Sequence, residues 1–348
     1  LPCGPMKHEV NMYPAAPKCH HWPFWIVILA LAAVLGISLL INLAAVGVLA
    51  GAKPGSAPNN EGEDEFPQFT ETHSYGMGTT KVVRIWYTGI ITRELDGGWL
   101  GTLDPVEDCL RQIRAARQDE EVKAIILEVD SPGGDVTSAD EIHRELQLFK
   151  ESRADRKIVV LVHDLAASGG YYISLPADRI VAQPTALIGN IGVILQSFNI
   201  QGLSEKIGVT DTTIKSGKHK DMLNPFHPAD PEELALLQSS VDAMHARFVN
   251  LVAKGRHLKK AELGLLTDGR LFTAEEALKH RLVDAIGYWE ETLDETCDLL
   301  DVDDVLVVTY ATPKSFLETL FSTRVRLPGL QALLSAAATP RRCYLWRP

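Results

Sequence analysis

Residues 122–135 read VKAIILEVDSPGGD. The first eight are apolar apart from Lys123 and Glu128, the pattern of a strand buried on both faces. The next six, Asp130-Ser131-Pro132-Gly133-Gly134-Asp135, are turn residues. From Val136 the period changes, and Ile142, Leu146 and Phe149 recur at helical spacing over 136–151. A second buried strand follows at 157–162 (KIVVLV), then Ala166-Ala167-Ser168-Gly169-Gly170-Tyr171-Tyr172. The alternation continues outward in both directions. Residues 81–92 are β-rich, and 105–117 have helical spacing. Residues 179–182 suit a short strand, 231–251 a long amphipathic helix, 274–279 a shorter one and 304–309 a late strand. Short buried strands alternating with helices predict an α/β layer domain with right-handed crossovers. No internal repeat at a fixed period is present.

The bulk numbers exclude several classes. The 348 residues are 46% apolar and 23% charged, ordinary globular values. A net charge of −11 is poorly suited to gripping phosphates, which argues against a nucleic-acid binder. Five scattered cysteines (Cys3, Cys19, Cys109, Cys297 and Cys343) form no Cys-x-x-Cys pair. They fit neither a zinc module nor a disulfide framework.

The average hides a compositional step. No Lys, Arg, Asp or Glu occurs between Lys18 and Lys53, and 22–50 is almost wholly apolar. About 20 such residues span the hydrocarbon core of a bilayer. Signal-peptide cores are shorter, so an uncleaved anchor is expected, although Ala50-Gly51-Ala52 resembles a cleavage site. Trp22 and Trp25 suit the interfacial end. Lys7, Lys18 and nearby histidines precede the segment, whereas Glu61, Glu63, Asp64 and Glu65 follow it. The positive-inside bias then places the N-terminus in the cytoplasm. The expected organisation is a cytoplasmic segment (1–21), an anchor (22–50), a flexible Pro/Gly/Glu-rich tether (51–78), a catalytic domain (79–311) and an amphipathic apolar tail (312–348). The tail suits a helix packed on its own domain, or one that docks on a neighbour or the membrane.

Two glycine pairs at strand ends are the places for chemistry. Pro132-Gly133-Gly134 lets backbone N–H groups approach a ligand at a helix start, which suits an anion or a developing oxyanion. Ser168 stands between two alanines and two glycines, an uncrowded hydroxyl at the start of a helix. It suits a nucleophile by analogy with a strand–turn–helix elbow, and it equally suits an N-cap. A serine nucleophile needs a base. His143, His163, His219, His227, His245, His257 and His280 stand in no telling motif. A desolvated lysine is the alternative base, and 215–221 (KSGKHKD) is lysine-dense, although such runs are usually solvated loops.

Taken together, Asp-Ser-Pro-Gly-Gly-Asp, Ala-Ala-Ser-Gly-Gly-Tyr-Tyr, Gly189-Asn190-Ile191-Gly192-Val193 and Lys-Ser-Gly-Lys-His-Lys-Asp resemble the signal peptide peptidase A family in order and spacing. The resemblance covers about 82–295. It implies a fold similar to the Clp protease and crotonase group, and a Ser–Lys dyad. It casts Ser168 as nucleophile and Lys220, the lysine directly before Asp221, as base. Lys215 and Lys218 match non-catalytic positions. Gly134 and Gly169 match the donors of the oxyanion hole. Asn190 stands where many members have a serine that orients the lysine, and its amide oxygen can accept from an amine. The chain has one copy of the catalytic unit, like the short members, which implies a homo-oligomeric ring with shared sites.

The function expected from this is a membrane-anchored serine endopeptidase of a bacterial inner membrane, with its catalytic domain on the periplasmic or extracellular face. Remnant signal peptides and other apolar peptides are the expected substrates, and no metal or organic cofactor is needed. A crotonase-like acyl-CoA enzyme and an inactive scaffold of the same fold are the alternatives.

Overall fold

The computed structural model describes residues 22–51, 67–93, 95–96, 102–311 and 342–345, with side chains over 26–40, 67–93 and 104–311. The chain divides into two compact units, 1–60 and 61–348. In the first, Trp22–Gly51 forms one helix, α1. Its described side chains, 26–40, are all exposed. Among the described residues no helix is long and apolar enough to cross a membrane.

The second unit runs, in order, through Thr70–Tyr75 (β1), Thr80–Thr88 (β2), Leu95–Asp96 (β3), Thr102–Leu103 (β4) and Pro105–Gln118 (α2). Then come Val122–Ser131 (β5), Gly133–Asp135 (β6), Val136–Glu151 (α3), Lys157–Ala167 (β7), Gly169–Ser174 (α4) and Arg179–Ala182 (β8). Leu187–Gly189 (β9), Ile194–Leu195 (β10), Gln201–Ile207 (α5), Pro231–Gly255 (α6) and Lys260–Leu266 (α7) follow. The last are Leu271–Thr273 (β11), Ala274–Lys279 (α8), Ala285–Ile286 (β12), Trp289–Leu300 (α9), Val305–Ala311 (β13) and Arg342–Leu345 (β14).

The main sheet has the order β1-β13-β2-β5-β7-β8-β12, with β9 on β7 and β11 on β9. From β13 to β12 every neighbour is parallel; β1 and β11 pair antiparallel. This is the mixed α/β architecture expected from the alternating pattern. The run at 122–129 is apolar without alternation because both of its faces are covered. Ile125, Leu127 and Val129 pack in a large core with Ile113, Ile142 and Phe149 of α2 and α3. Ala124 and Ile126 face a smaller core with Leu293 of α9. Helix starts carry their local signals: Asp104 accepts from Glu107 N–H at 2.8 Å with Pro105 in the first turn, and Asp230 and Pro231 repeat this at α6. Glu128 of β5 is fully buried and lies between Arg84 and His163.

Two expected boundaries shift. The tether expected over 51–78 overlaps β1, because 70–75 pairs in register with β13 and closes the sheet edge. The apolar tail segment at 312–334 lies outside the described residues, but its last part, 342–345, is a strand. β14 sits between β10 and β6 in a separate three-stranded sheet.

Candidate active site

The register of β5 on β7 assembles the site. Ala124 to Val129 pair regularly with Lys157 to Val162; the register then slips, and Ser131 stands opposite Ala166. Beyond Val162, β7 changes partner, from β8 to β9. Both strands thus run past the sheet edge side by side, and the turns that follow them, 132–134 and 168–170, meet. Ser131 fixes the first turn: its hydroxyl donates to Gly89 C=O at 2.7 Å and accepts from Gly133 N–H at 3.1 Å.

Ser168 occupies the junction of β7 and α4 with φ 54° and ψ −114°. A left-handed serine is strained by about 1–3 kcal/mol, and such strain collects where a side chain must be held in one direction. The conformation is fixed from both sides. Ser168 N–H donates to Gly189 C=O at 2.8 Å, and Ser168 C=O accepts from Tyr172 N–H at 2.9 Å, opening α4. The Ser168 side chain makes no capping hydrogen bond. The capping role open in the sequence is therefore not the one adopted. Nor is the residue exposed, as a helix start suggests: it is 1% accessible. Helix α4 is anchored behind it by Tyr171 OH donating to Leu282 C=O and Tyr172 OH donating to Asp140.

The two glycines stand against each other. A Cβ on Gly169 would lie 3.2 Å from Gly134 N and 3.1 Å from Gly133 Cα, and a Cβ on Gly134 would lie 2.0 Å from Ile91 C=O. Neither position tolerates a side chain without movement. Ile91 binds β6 through Gly133 C=O (2.9 Å) and Asp135 N–H (2.7 Å). Successive strand residues point their backbone groups to opposite edges, so Gly134 N–H is turned away from Ile91.

An open cavity of about 1030 Å³ is lined by Ser168, Asn190, Ile194, Asp242, His245 and Asp268, among others. Asn190 has φ 48°, and its amide donates to Gly269 C=O at 2.6 Å while its backbone N–H donates to Arg270 C=O at 2.7 Å. Of the seven histidines weighed as bases, His245 alone lines this cavity, with its Nε2 bonded to Thr267 C=O at 2.9 Å. His163 is committed to Glu128 and Gln183 at 2.6 and 2.9 Å. His143 is buried against Tyr172, and desolvation pushes its pKa down to about 4.

Among the described residues no lysine lines the cavity. Lys220 lies in the exposed stretch between α5 and α6. Its neighbours are occupied: Lys215 pairs with Asp221 at 2.5 Å, and Lys218 pairs with Glu232. Lys220 pairs with no acid among the described residues. This stretch exposes Ile214 at 96%, and α5 and the residues before it expose Phe198, Leu203 and Ile207. Ser168, Gly134, Gly169 and Asn190 therefore come together within one chain, and Lys220 is not among the described residues that line the Ser168 cavity.

Several residues escaped the sequence reading. Ile91, Ser131 and the Asp268-Gly269-Arg270 turn hold the site by backbone contacts, which carry no side-chain signature. Asp242 reaches it from α6 only through tertiary packing, the same packing that singles out His245 from the seven histidines weighed.

Comparison with known proteins agrees with this geometry. The sequence model of peptidase family S49 matches residues 150–303. A putative signal peptide peptidase SppA of Enterococcus faecium is 37% identical over 241 residues, 69% of this chain and 70% of that protein. A putative protease of Synechocystis is 35% identical over 242 residues, 69% of this chain and 82% of its own length. Protease 4 of Salmonella typhi is 32% identical over 231 residues, of which this chain covers 37% of the length. Identity at this level, over more than two thirds of two relatives, places the chain among the SppA-type peptidases of family S49.

Proposed function

We propose that this peptidase is a membrane-anchored serine endopeptidase with Ser168 as nucleophile and Lys220 as general base, acting on remnant signal peptides and other apolar peptides. The observation that carries the reading is Ser168, left-handed at a strand–helix elbow, beside two glycines that exclude side chains. In this reading Ser168 Oγ attacks a peptide carbonyl, and the neutral lysine takes the hydroxyl proton and returns it to the leaving amine. The N–H groups of Gly134 and Gly169 stabilise the tetrahedral oxyanion; one such donor is typically worth about 3–4 kcal/mol of barrier. Asn190 orients the lysine through its amide oxygen, its amide nitrogen being held by Gly269. The scaffold is then of the Clp protease and crotonase type. The name of the Enterococcus relative supports signal peptides as the substrate class.

The base comes from a neighbouring subunit in this proposal. Among the described residues no lysine lines the cavity at Ser168, and the arm carrying Lys220 exposes apolar side chains as an interface would. A free lysine has a pKa of about 10.4, and burial at a subunit contact favours its neutral form. Head-to-tail contacts of this kind close into a ring.

The anchor is the uncharged segment 22–50, with the catalytic domain on the far face of a bacterial inner membrane. Protease added to intact spheroplasts should then reach residues beyond 66; their protection would reverse the orientation. The chemical test is a fluorophosphonate label with peptide mapping. Ser168 should carry the label in the parent, and Ser168→Ala should lose label and turnover together. An unlabelled, inactive parent would favour the inactive scaffold.

A further inference from the structure

A second cavity, of about 790 Å³, lies at the far end of α4 and shares no lining residue with the cavity at Ser168. Ser168 precedes the first turn of α4; Leu175, which follows its last, lines the second cavity. The volume is that of a small-ligand site. Leu175, Leu251, Leu278, Val283 and Leu299 give it apolar walls. Its acids are already committed: Asp178 pairs with Lys150 at 2.8 Å, Asp284 with Arg256 at 2.7 Å and Glu151 with Arg144 at 3.7 Å. Arg179 and Arg281 pair with Glu295 and Glu262. Lys254 and His143 also line the cavity, and they are not committed. Among the described residues Lys254 pairs with no acid, and the His143 ring, in a residue only 3% accessible, makes no hydrogen bond. A buried imidazole without a partner is costly. Burial keeps the ring neutral, with one N–H to donate. Lys254 stands in the last turn of α6. A helix C-terminus repels an anion, so any attraction for one must come from these side chains.

We infer that this cavity binds a small carboxylate bearing an apolar side chain, with Lys254 and His143 holding the carboxylate and the leucine walls taking the side chain. Lys254 as the cation and His143 as a neutral donor match a monoanion. A phosphate dianion would leave a charge uncompensated between apolar walls. Gln147 lines the same cavity and can pair with an amide next to the carboxylate. The end of a cleaved apolar peptide therefore fits better than a fatty acid, which shares the carboxylate and the apolar chain but has no amide. That source rests on the peptidase reading above; the site itself does not.

Equilibrium dialysis of radiolabelled acetyl-leucine against the full-length Ser168→Ala protein reads the site without turnover. Saturable binding with a Kd of about millimolar or tighter is expected. Acetyl-leucinamide, which lacks the charge, should bind at least about tenfold more weakly. In the same background Lys254→Gln should weaken acetyl-leucine binding at least about tenfold, and Lys254→Arg should restore most of it. His143→Phe should weaken it too. Lys254 is exposed, so its variants keep the test decisive where His143→Phe disturbs folding. Octanoate should bind more weakly than acetyl-leucine; the reverse order would overturn the peptide source. Equal affinities with Lys254 and with Gln at that position would overturn the inference, and so would inorganic phosphate binding as tightly as acetyl-leucine. If acetyl-leucine binds as stated while the parent enzyme cleaves no peptide, the site stands and the peptidase reading falls.

Discussion

The turn at Ser168 and the arm at Lys220 are built on opposite terms. The turn is 1% accessible, locked by backbone bonds to Gly189 and Tyr172, and backed by the largest core of the molecule. The arm exposes its apolar side chains, and its ion pairs are local, spanning a few residues or reaching the first turn of α6. Burial gives the serine a fixed direction and a strained backbone. Exposure leaves Lys220 open to solvent. Among the described residues one chain thus presents a rigid turn and an exposed arm; under the function proposed above, the arm of another copy completes the site.

The strongest way to break this comparison is to separate the halves genetically. Ser168→Ala and Lys220→Ala should each lower kcat by at least about 10³-fold with folding intact by circular dichroism. Mixed after dissociation and reassembly, the two inactive proteins should regain about a quarter of parent activity, because each junction needs an intact residue from both neighbours. Zero recovery from well-mixed oligomers would place the base within the chain. Gly134→Ala comes next. Its Cβ meets Ile91 C=O at 2.0 Å, so the strand must shift and the N–H with it. Activity should drop about 10²–10³-fold, together with a lower Tm.

Acid should attack the buried half first. His143 packs on Tyr172 behind the Ser168 turn, and burial holds its pKa near 4 in the folded state, below the ordinary 6.5. The unfolded chain therefore takes up the proton first. Stability is full above about pH 6.5 and falls as pH drops toward 4, by at most about 3 kcal/mol. His143→Phe should flatten that part of the denaturation-versus-pH curve; an unchanged slope would remove His143 from the argument. Orientation of the base should show as a smaller effect. Asn190→Leu should lower kcat/KM about tenfold and shift the pH–rate profile, whereas Asn190→Ser should keep the profile. The smallest effect sharpens the strain argument. Ser168→Gly should be more stable than Ser168→Ala by about 1 kcal/mol, since glycine accepts positive φ freely. Equal urea midpoints would mean that the left-handed conformation stores little.

Much of this was legible in the sequence, and the reasons are local. The run at 122–129 announced a two-face strand because parallel strands are covered on both sides. The spacing over 105–117 and 231–251 announced α2 and α6 because a helix sets its apolar period between near neighbours. β9, β10 and β12 were not legible, being only two or three residues long and stabilised by partners far along the chain. The tether was read too long because the β1 sequence, TETHSY, has no apolar face; it is a strand through its backbone pairing with β13.

The sequence by itself determined the α/β alternation, the two glycine turns and the uncharged segment before residue 53, since each depends on residue type and short spacing. Only the tertiary structure decided that the two turns meet. That depends on a register slip between β5 and β7, a property of paired backbones that no single strand encodes. It also decided that Ser168 is buried and strained rather than an exposed cap, that the described lining of its cavity leaves out Lys220, and that 343–345 pairs with β6 at Gly134. Each is a contact across long sequence separation, where packing and backbone hydrogen bonds override local preference.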